Sequence, residues 1–150
     1  MRPDSIILLV EDDPDGEALT LRAPRRGGIR HAIVVVRDGV EALDYLFGTG
    51  DYPGRDLDAM PRVVVLDLKL PRLDGLEVLR RIRADERTRL LPVVILTSSD
   101  EERDRLDGYR YGANSYVRKP VDYDQFAETI RQLGLYWLLL NQPPPGGGRT

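Results

Sequence analysis

The chain has 150 residues, with 22 Lys and Arg against 25 Asp and Glu, one His, no Cys and a formal net charge of −3. Without cysteine it can form no disulfide, thiolate nucleophile or Cys-ligated metal site, and His31 alone excludes paired-histidine chemistry. The length suits one domain with a sizeable core, and the slight acid excess argues against nucleic acid, whose phosphates call for a basic stripe. The longest apolar stretch, Leu133 to Leu140, is too short for a membrane span, and Met1-Arg2-Pro3-Asp4-Ser5 lacks the apolar region of a signal peptide. A cytoplasmic protein with no membrane partner is expected.

Runs rich in Val, Ile and Leu alternate with segments of helical length. Ile6–Val10 is the first expected strand and Asp15–Ala23 the first helix, which Pro24 should end or kink before an exit loop at Gly27-Gly28. Ala32–Val36 and Val40–Phe47 form the next pair. Gly48–Arg62 follows, about as long as a structureless connection usually gets, either an interaction loop or surface decoration. Val63–Leu66 leads to a helix over Leu76–Ala84, in which Leu76, Val78, Leu79 and Ile82 face a sheet while Arg80, Arg81 and Arg83 turn outward, with Asp74 as N-cap.

Val93–Leu96 precedes a weaker helix, Glu101–Tyr111. It holds little apolar material beyond Leu106 and Tyr109, and Gly108 costs it about 1 kcal/mol relative to Ala. It is expected to be the least stable element, either a surface that rearranges or a merely exposed helix. Ser115–Val117 and a long helix over Asp124–Leu140 complete the series, and residues 141–150, rich in Pro and Gly, are expected to be a disordered tail. Most of these strands are continuously apolar, as strands buried on both faces of a parallel sheet are, so the pattern predicts a doubly wound α/β sandwich.

Ligands of such sheets bind at the carboxyl ends of the strands. Those ends carry Glu11-Asp12-Asp13, Asp67, Thr97-Ser98-Ser99 and Lys119-Pro120. Singly, each has an ordinary explanation: the acidic run as a helix-terminal cap, Thr97 as another cap, Lys119 as a solvated lysine. Their joint occurrence at the ends of four strands points to a site. Carboxylates converging there would repel by about 4 kcal/mol per pair at 4 Å and an effective dielectric near 20. Lys119 alone cannot balance them, and oxygen-only ligation suits Mg²⁺, in a set fitted to phosphoryl transfer onto a carboxylate.

Leu9-Val10-Glu11-Asp12, Val65-Leu66-Asp67-Leu68-Lys69-Leu70-Pro71, Asp74-Gly75, Leu96-Thr97-Ser98, Gly112-Ala113-Asn114-Ser115-Tyr116 and Lys119-Pro120 together resemble the receiver domain of two-component response regulators. The resemblance covers residues 5–135, and the receiver with its extended C-terminal helix is expected over 5–140. It implies a flavodoxin-like fold: a five-stranded parallel sheet, order 2-1-3-4-5, flanked by five helices. It also implies that Asp67 is the phosphoacceptor. Mg²⁺ would be held by Asp12, Asp67 and the backbone carbonyl of Lys69, with Glu11 acting through a water and Asp13 no ligand. Thr97 and Lys119 would bind the phosphoryl group, Tyr116 would be the aromatic switch, and a cis peptide before Pro120 would aim the lysine.

The implied partner is a sensor histidine kinase that supplies the phosphoryl group. The long Gly48–Arg62 loop and the apolar C-terminal segment resemble the small response regulators partnered with bacterial phytochromes. Tyr136, Trp137 and Leu140 cannot all share one intramolecular groove with Leu133, Leu135, Leu138 and Leu139, so a homodimer through this end is expected. The alternative, a Mg²⁺-dependent aspartyl-phosphate phosphatase or phosphotransferase, normally has a second acid two residues after the nucleophile. Lys69 stands there, so turnover catalysis is not expected.

Overall fold

The computed structural model describes residues 6–13, 32–57 and 59–145. The strands are β1 (Ile6–Val10), β2 (Ala32–Val36), β3 (Val63–Leu66), β4 (Val93–Thr97) and β5 (Ser115–Arg118). They form one sheet in the order β2-β1-β3-β4-β5, with every neighbouring pair parallel. The helices among the described residues are α1 (Gly39–Phe47), α2 (Gly75–Ala84), α3 (Glu102–Arg110) and α4 (Tyr123–Gly134), the last continuing as a π-helix over Leu135–Leu140. The predicted helix Asp15–Ala23, with Pro24 and Gly27-Gly28, lies outside the described residues. The flavodoxin-like order expected from the sequence is the one observed.

Alternation along the strands divides the core. Leu8, Val10, Val64, Leu66, Val93 and Ile95 face one side, where they meet Val78, Leu79 and Ile82 of α2 and Ala42 and Leu46 of α1. Ile7, Leu9, Val63, Val65, Val94 and Leu96 face the other, against Phe126 and Ile130 of α4 and Trp137 and Leu138 beyond it. Apolar burial on both faces explains why the strands read as unbroken Val, Ile and Leu.

Asp38, Asp74 and Asp122 cap α1, α2 and α4 by accepting from the backbone N–H groups of Glu41, Glu77 and Asp124 at 2.7, 3.1 and 2.7 Å. Arg83 departs from its expected outward orientation. Its half-buried guanidinium donates to the carbonyls of Gly112 (3.0 and 2.8 Å), Leu91 (2.7 Å) and Arg89 (3.1 Å). A planar fork with five donors can satisfy several carbonyls that helical phase alone would leave to water. The loop that begins at Gly48 is likewise tied down: Arg55 donates to the carbonyls of Tyr45, Leu46 and Ala59 and stacks 4.2 Å over the Tyr45 ring. Tyr52 donates to Glu41 at 2.7 Å, and burial with that carboxylate beside it pushes the phenol up to about 12.

The C-terminal helix does not remain α-helical to Leu140. From Leu135 it widens to i→i+5 bonding, closed by Asn141 N–H donating to Tyr136 O at 2.7 Å. Trp137 and Leu138 face inward, while Tyr136, Leu139 and Leu140 remain exposed. Trp137, expected at an association surface with Tyr136 and Leu140, is therefore corrected to a core residue of its own domain, 9% exposed.

Candidate functional site

Three backbone hydrogen bonds extend the strand ladder past its ends: Glu11 N–H to Val36 O (2.9 Å), Asp67 N–H to Val10 O (3.3 Å) and Lys119 N–H to Thr97 O (2.6 Å). The sheet itself thus fixes the main chain of the three charged residues. Gly75 sets the acceptor from the other side. Its N–H donates to Leu68 O at 2.8 Å, and a Cβ there would lie 2.2 Å from Asp67 O. Only a residue without a side chain lets α2 start this close to the turn after β3.

Lys119 Nζ bonds Glu11 Oε1 and lies 3.3 Å from Asp67 Oδ2. Phe126 closes the underside, its ring centre 5.4 Å from Nζ. Burial and the neighbouring Asp67 carboxylate push Glu11 up to about 7 against the opposing pull of Lys119. For Lys119 burial acts downward, but hydrogen bonding to Glu11 and the charges of Asp67 and Glu11 outweigh it, and the ammonium is held above its ordinary value. Glu11 is 2% exposed, and its Oε2 has no hydrogen-bond partner. A carboxylate of this kind is costly unless a further donor or cation meets it.

Asp12, exposed at the rim, completes a trio with Glu11 and Asp67 whose carboxylate oxygens lie within 4.8 Å of one another. One lysine against three carboxylates leaves a negative excess, so this donor set can take a hard divalent cation. Lys69 N–H donates to Asp67 Oδ1 at 3.3 Å, placing its main chain beside the acceptor while its side chain is exposed. Asp13 instead accepts from the Tyr123 hydroxyl at 3.3 Å. Beside Asp12 and Lys69 opens a cleft of about 430 Å³, also lined by Leu70, Pro71, Asp74 and Glu101.

Thr97, fully buried, ends β4, and its Oγ1 accepts from Ser99 N–H at 3.4 Å. Tyr116, half-buried in β5, donates to Ser99 O at 3.2 Å, and burial raises its phenol. The fold thus gathers Glu11, Asp12, Asp67, Lys69, Thr97 and Lys119 at one sheet edge, and places Tyr116 three residues before Lys119, within β5 and opposite Ile95. The sequence left two participants unread: Phe126 beneath the lysine, and Asp104, which accepts from Ser99 Oγ at 2.6 Å. The acid in the first turn of α3 was the available signal for the second.

One expectation is corrected. No cis peptide occurs among the described residues, so the bond before Pro120 is trans. Trans is the ground state of an X–Pro bond by about 0.5–1 kcal/mol, and with it Lys119 already reaches both carboxylates.

The family model for the response regulator receiver domain matches residues 7–131. The probable methanogenesis regulatory protein FilR2 of Methanothrix harundinacea (strain 6Ac) is 43% identical over 139 residues, 93% of this chain and 87% of that protein. Among solved structures, the phosphorylated cyanobacterial phytochrome response regulator RcpA is 34% identical over 93% of this chain and 98% of its own, with a TM-score of 0.86. The bacteriophytochrome response regulator RtBRR is 49% identical over 96% of this chain and 86% of its own, with a TM-score of 0.72.

Proposed function

Because the chain belongs to the response regulator receiver domain family of two-component signalling, we propose that it accepts a phosphoryl group on Asp67 from a sensor histidine kinase, a phytochrome, in the cytoplasm. The observation that carries this reading is the charge imbalance at the sheet edge. Lys119 bridges Glu11 and Asp67, yet Glu11 Oε2 remains buried without a partner beside Asp12. Resemblance to RcpA and RtBRR supports the phytochrome partner.

In the transfer, an Asp67 oxygen attacks phosphorus as the P–N bond of a phosphohistidine breaks, and the bond pair returns to the imidazole nitrogen, which takes up a proton. Lys119, 3.3 Å from Asp67 Oδ2, neutralises charge on the transferred group, and Thr97 offers its hydroxyl to the same oxygens. Asp12, Asp67, the Lys69 carbonyl and, through water, Glu11 would hold Mg²⁺, which when bound supplies further charge neutralisation at phosphorus. The protein is the acceptor in a relay rather than a turnover catalyst. Lys69 stands where an acid would protonate a leaving group, and its side chain is exposed.

Incubation with Mg²⁺ and acetyl phosphate, and separately with a phosphorylated phytochrome kinase, should add one phosphoryl mass to Asp67. Asp67→Asn should remove it, and labelling that persists in that variant sinks the assignment. The exposed Tyr136, Leu139 and Leu140 support a homodimer through this end. Light scattering should give twice the chain mass, reduced to the chain mass by Leu140→Asp; a wild-type monomer at all concentrations removes the dimer.

A further inference from the structure

An ammonium carries three N–H groups, and among the described residues that of Lys119 donates to two carboxylates, Glu11 and Asp67. Its remaining side faces inward. There Leu9, Val65, Leu96 and Phe126 line a space too narrow for a water molecule. The first three are aliphatic and offer a cation nothing. Phe126 is an aromatic ring, 2% exposed, and the Lys119 Nζ sits over it, 5.4 Å from its centre. A ring face carries the negative part of the quadrupole and attracts a cation within about 6 Å of its centre. The short turn between β5 and α4 puts the ring there. Asp122 caps α4 through Asp124 N–H at 2.7 Å and takes the Phe126 N–H at 2.9 Å, so the first helical turn folds back beneath the lysine.

We infer that Phe126 is a positioning residue for phosphoryl transfer: its ring is the third partner of the Lys119 ammonium and holds it at the acceptor while its oxygen partners change. The inference rests on the function proposed above, in which Lys119 neutralises charge on a group arriving at Asp67. To reach that group the ammonium turns from Glu11 and Asp67 toward new oxygens. A hydrogen bond is directional and weakens steeply as the donor turns away. Attraction to the ring face is different, because the positive charge is spread over three N–H groups and any of them can point at it. The seat therefore persists through the turn. Water cannot replace it, since the space beneath Lys119 holds none. An aliphatic side chain in place of Phe126 would fill that space and leave the cation against a wall with no compensating attraction.

Fluorinated phenylalanines at position 126 of the full chain test the seat, because fluorine drains negative charge from the ring face and leaves its shape nearly unchanged. With Mg²⁺ and acetyl phosphate, the rate of Asp67 labelling should fall stepwise from the native ring through the mono- and difluoro to the trifluoro form. The whole fall should be about five- to tenfold, the scale of a desolvated cation–π contact. Phe126→Leu, which has no face, should be slowed to the same extent. Urea midpoints, which report packing, should not follow the rate across the fluorinated series. A flat rate, or one that tracks the urea midpoint instead of the fluorine number, overturns the inference. A second readout needs no phosphorylation: in NMR of the unphosphorylated wild type, the ring current should shift the Lys119 ε-methylene protons upfield, and Phe126→Leu should abolish the shift. Identical Lys119 resonances in the two proteins also overturn the seat. Failure of the receiver reading would show separately, as absent labelling of Asp67 in the wild type, with the ring-current comparison still measurable.

Discussion

Helices α2 and α3 pack against the same face of the sheet, but α2 buries Val78, Leu79 and Ile82 completely, whereas α3 buries Gly108. Each large side chain fully buried contributes about 1.5–3 kcal/mol, against about 0.5–1.5 kcal/mol for a hydrogen bond, so α2 is fixed by terms that the polar ties of α3 cannot match. Both ends of α2 are also fastened, by Asp74 at the start and by the Arg83 bonds at the finish. The fixed helix is the one whose first residue sets the Asp67 main chain. The loosely held helix is the one tied to Ser99 through Asp104. Geometry for chemistry thus rests on the firmer of two neighbouring elements.

The largest expected effect breaks this contrast at its stable side. Ile82→Ala should cost about 2–5 kcal/mol in urea unfolding, whereas Leu106→Ala should stay within about 0.5 kcal/mol. Comparable losses would mean that α3 is anchored as firmly as α2. A smaller effect concerns the rigid site. Burial pushes Glu11 up to about 7, so the metal-free fold binds its proton more tightly than the unfolded chain. Its contribution to stability accordingly declines as pH rises from 4.5 through about 7, and a cation that favours the carboxylate offsets the decline. Calorimetry should therefore show Mg²⁺ affinity falling up to about tenfold per unit as pH drops below about 7, equivalent to about 1.4 kcal/mol, and levelling above it. Glu11→Gln should flatten the profile; a wild-type affinity independent of pH would remove Glu11 from the cation site.

The strands were legible because burial on both faces leaves an unbroken apolar signature: Ile6–Val10, Ala32–Val36 and Val63–Leu66 fall where composition places them. Polar residues at strand ends located the site for the same reason, since Asp67 directly after Val63–Leu66 has few structural alternatives. What escaped depends on three-dimensional partners. Arg83 reads as a solvated helix residue until the carbonyls of Gly112 and Leu91 are placed beside it. Trp137 misled because the run Leu135–Leu140 is apolar on every side, so its pattern does not say which residues turn inward, and in the fold Trp137 and Leu138 join the core. The isomer at Pro120 is nearly balanced in energy, and composition alone carries no information about it.

The Lys119 ammonium reaches a carboxylate 108 residues earlier and another 52 residues earlier. A chain still emerging from the ribosome therefore has its acids long before it has the base that counterbalances them. No fragment ending before Lys119 can pair Glu11 and Asp67 with this ammonium, however well its earlier strands pair. The charge balance of this sheet edge is therefore set by the residue that directly follows the last strand.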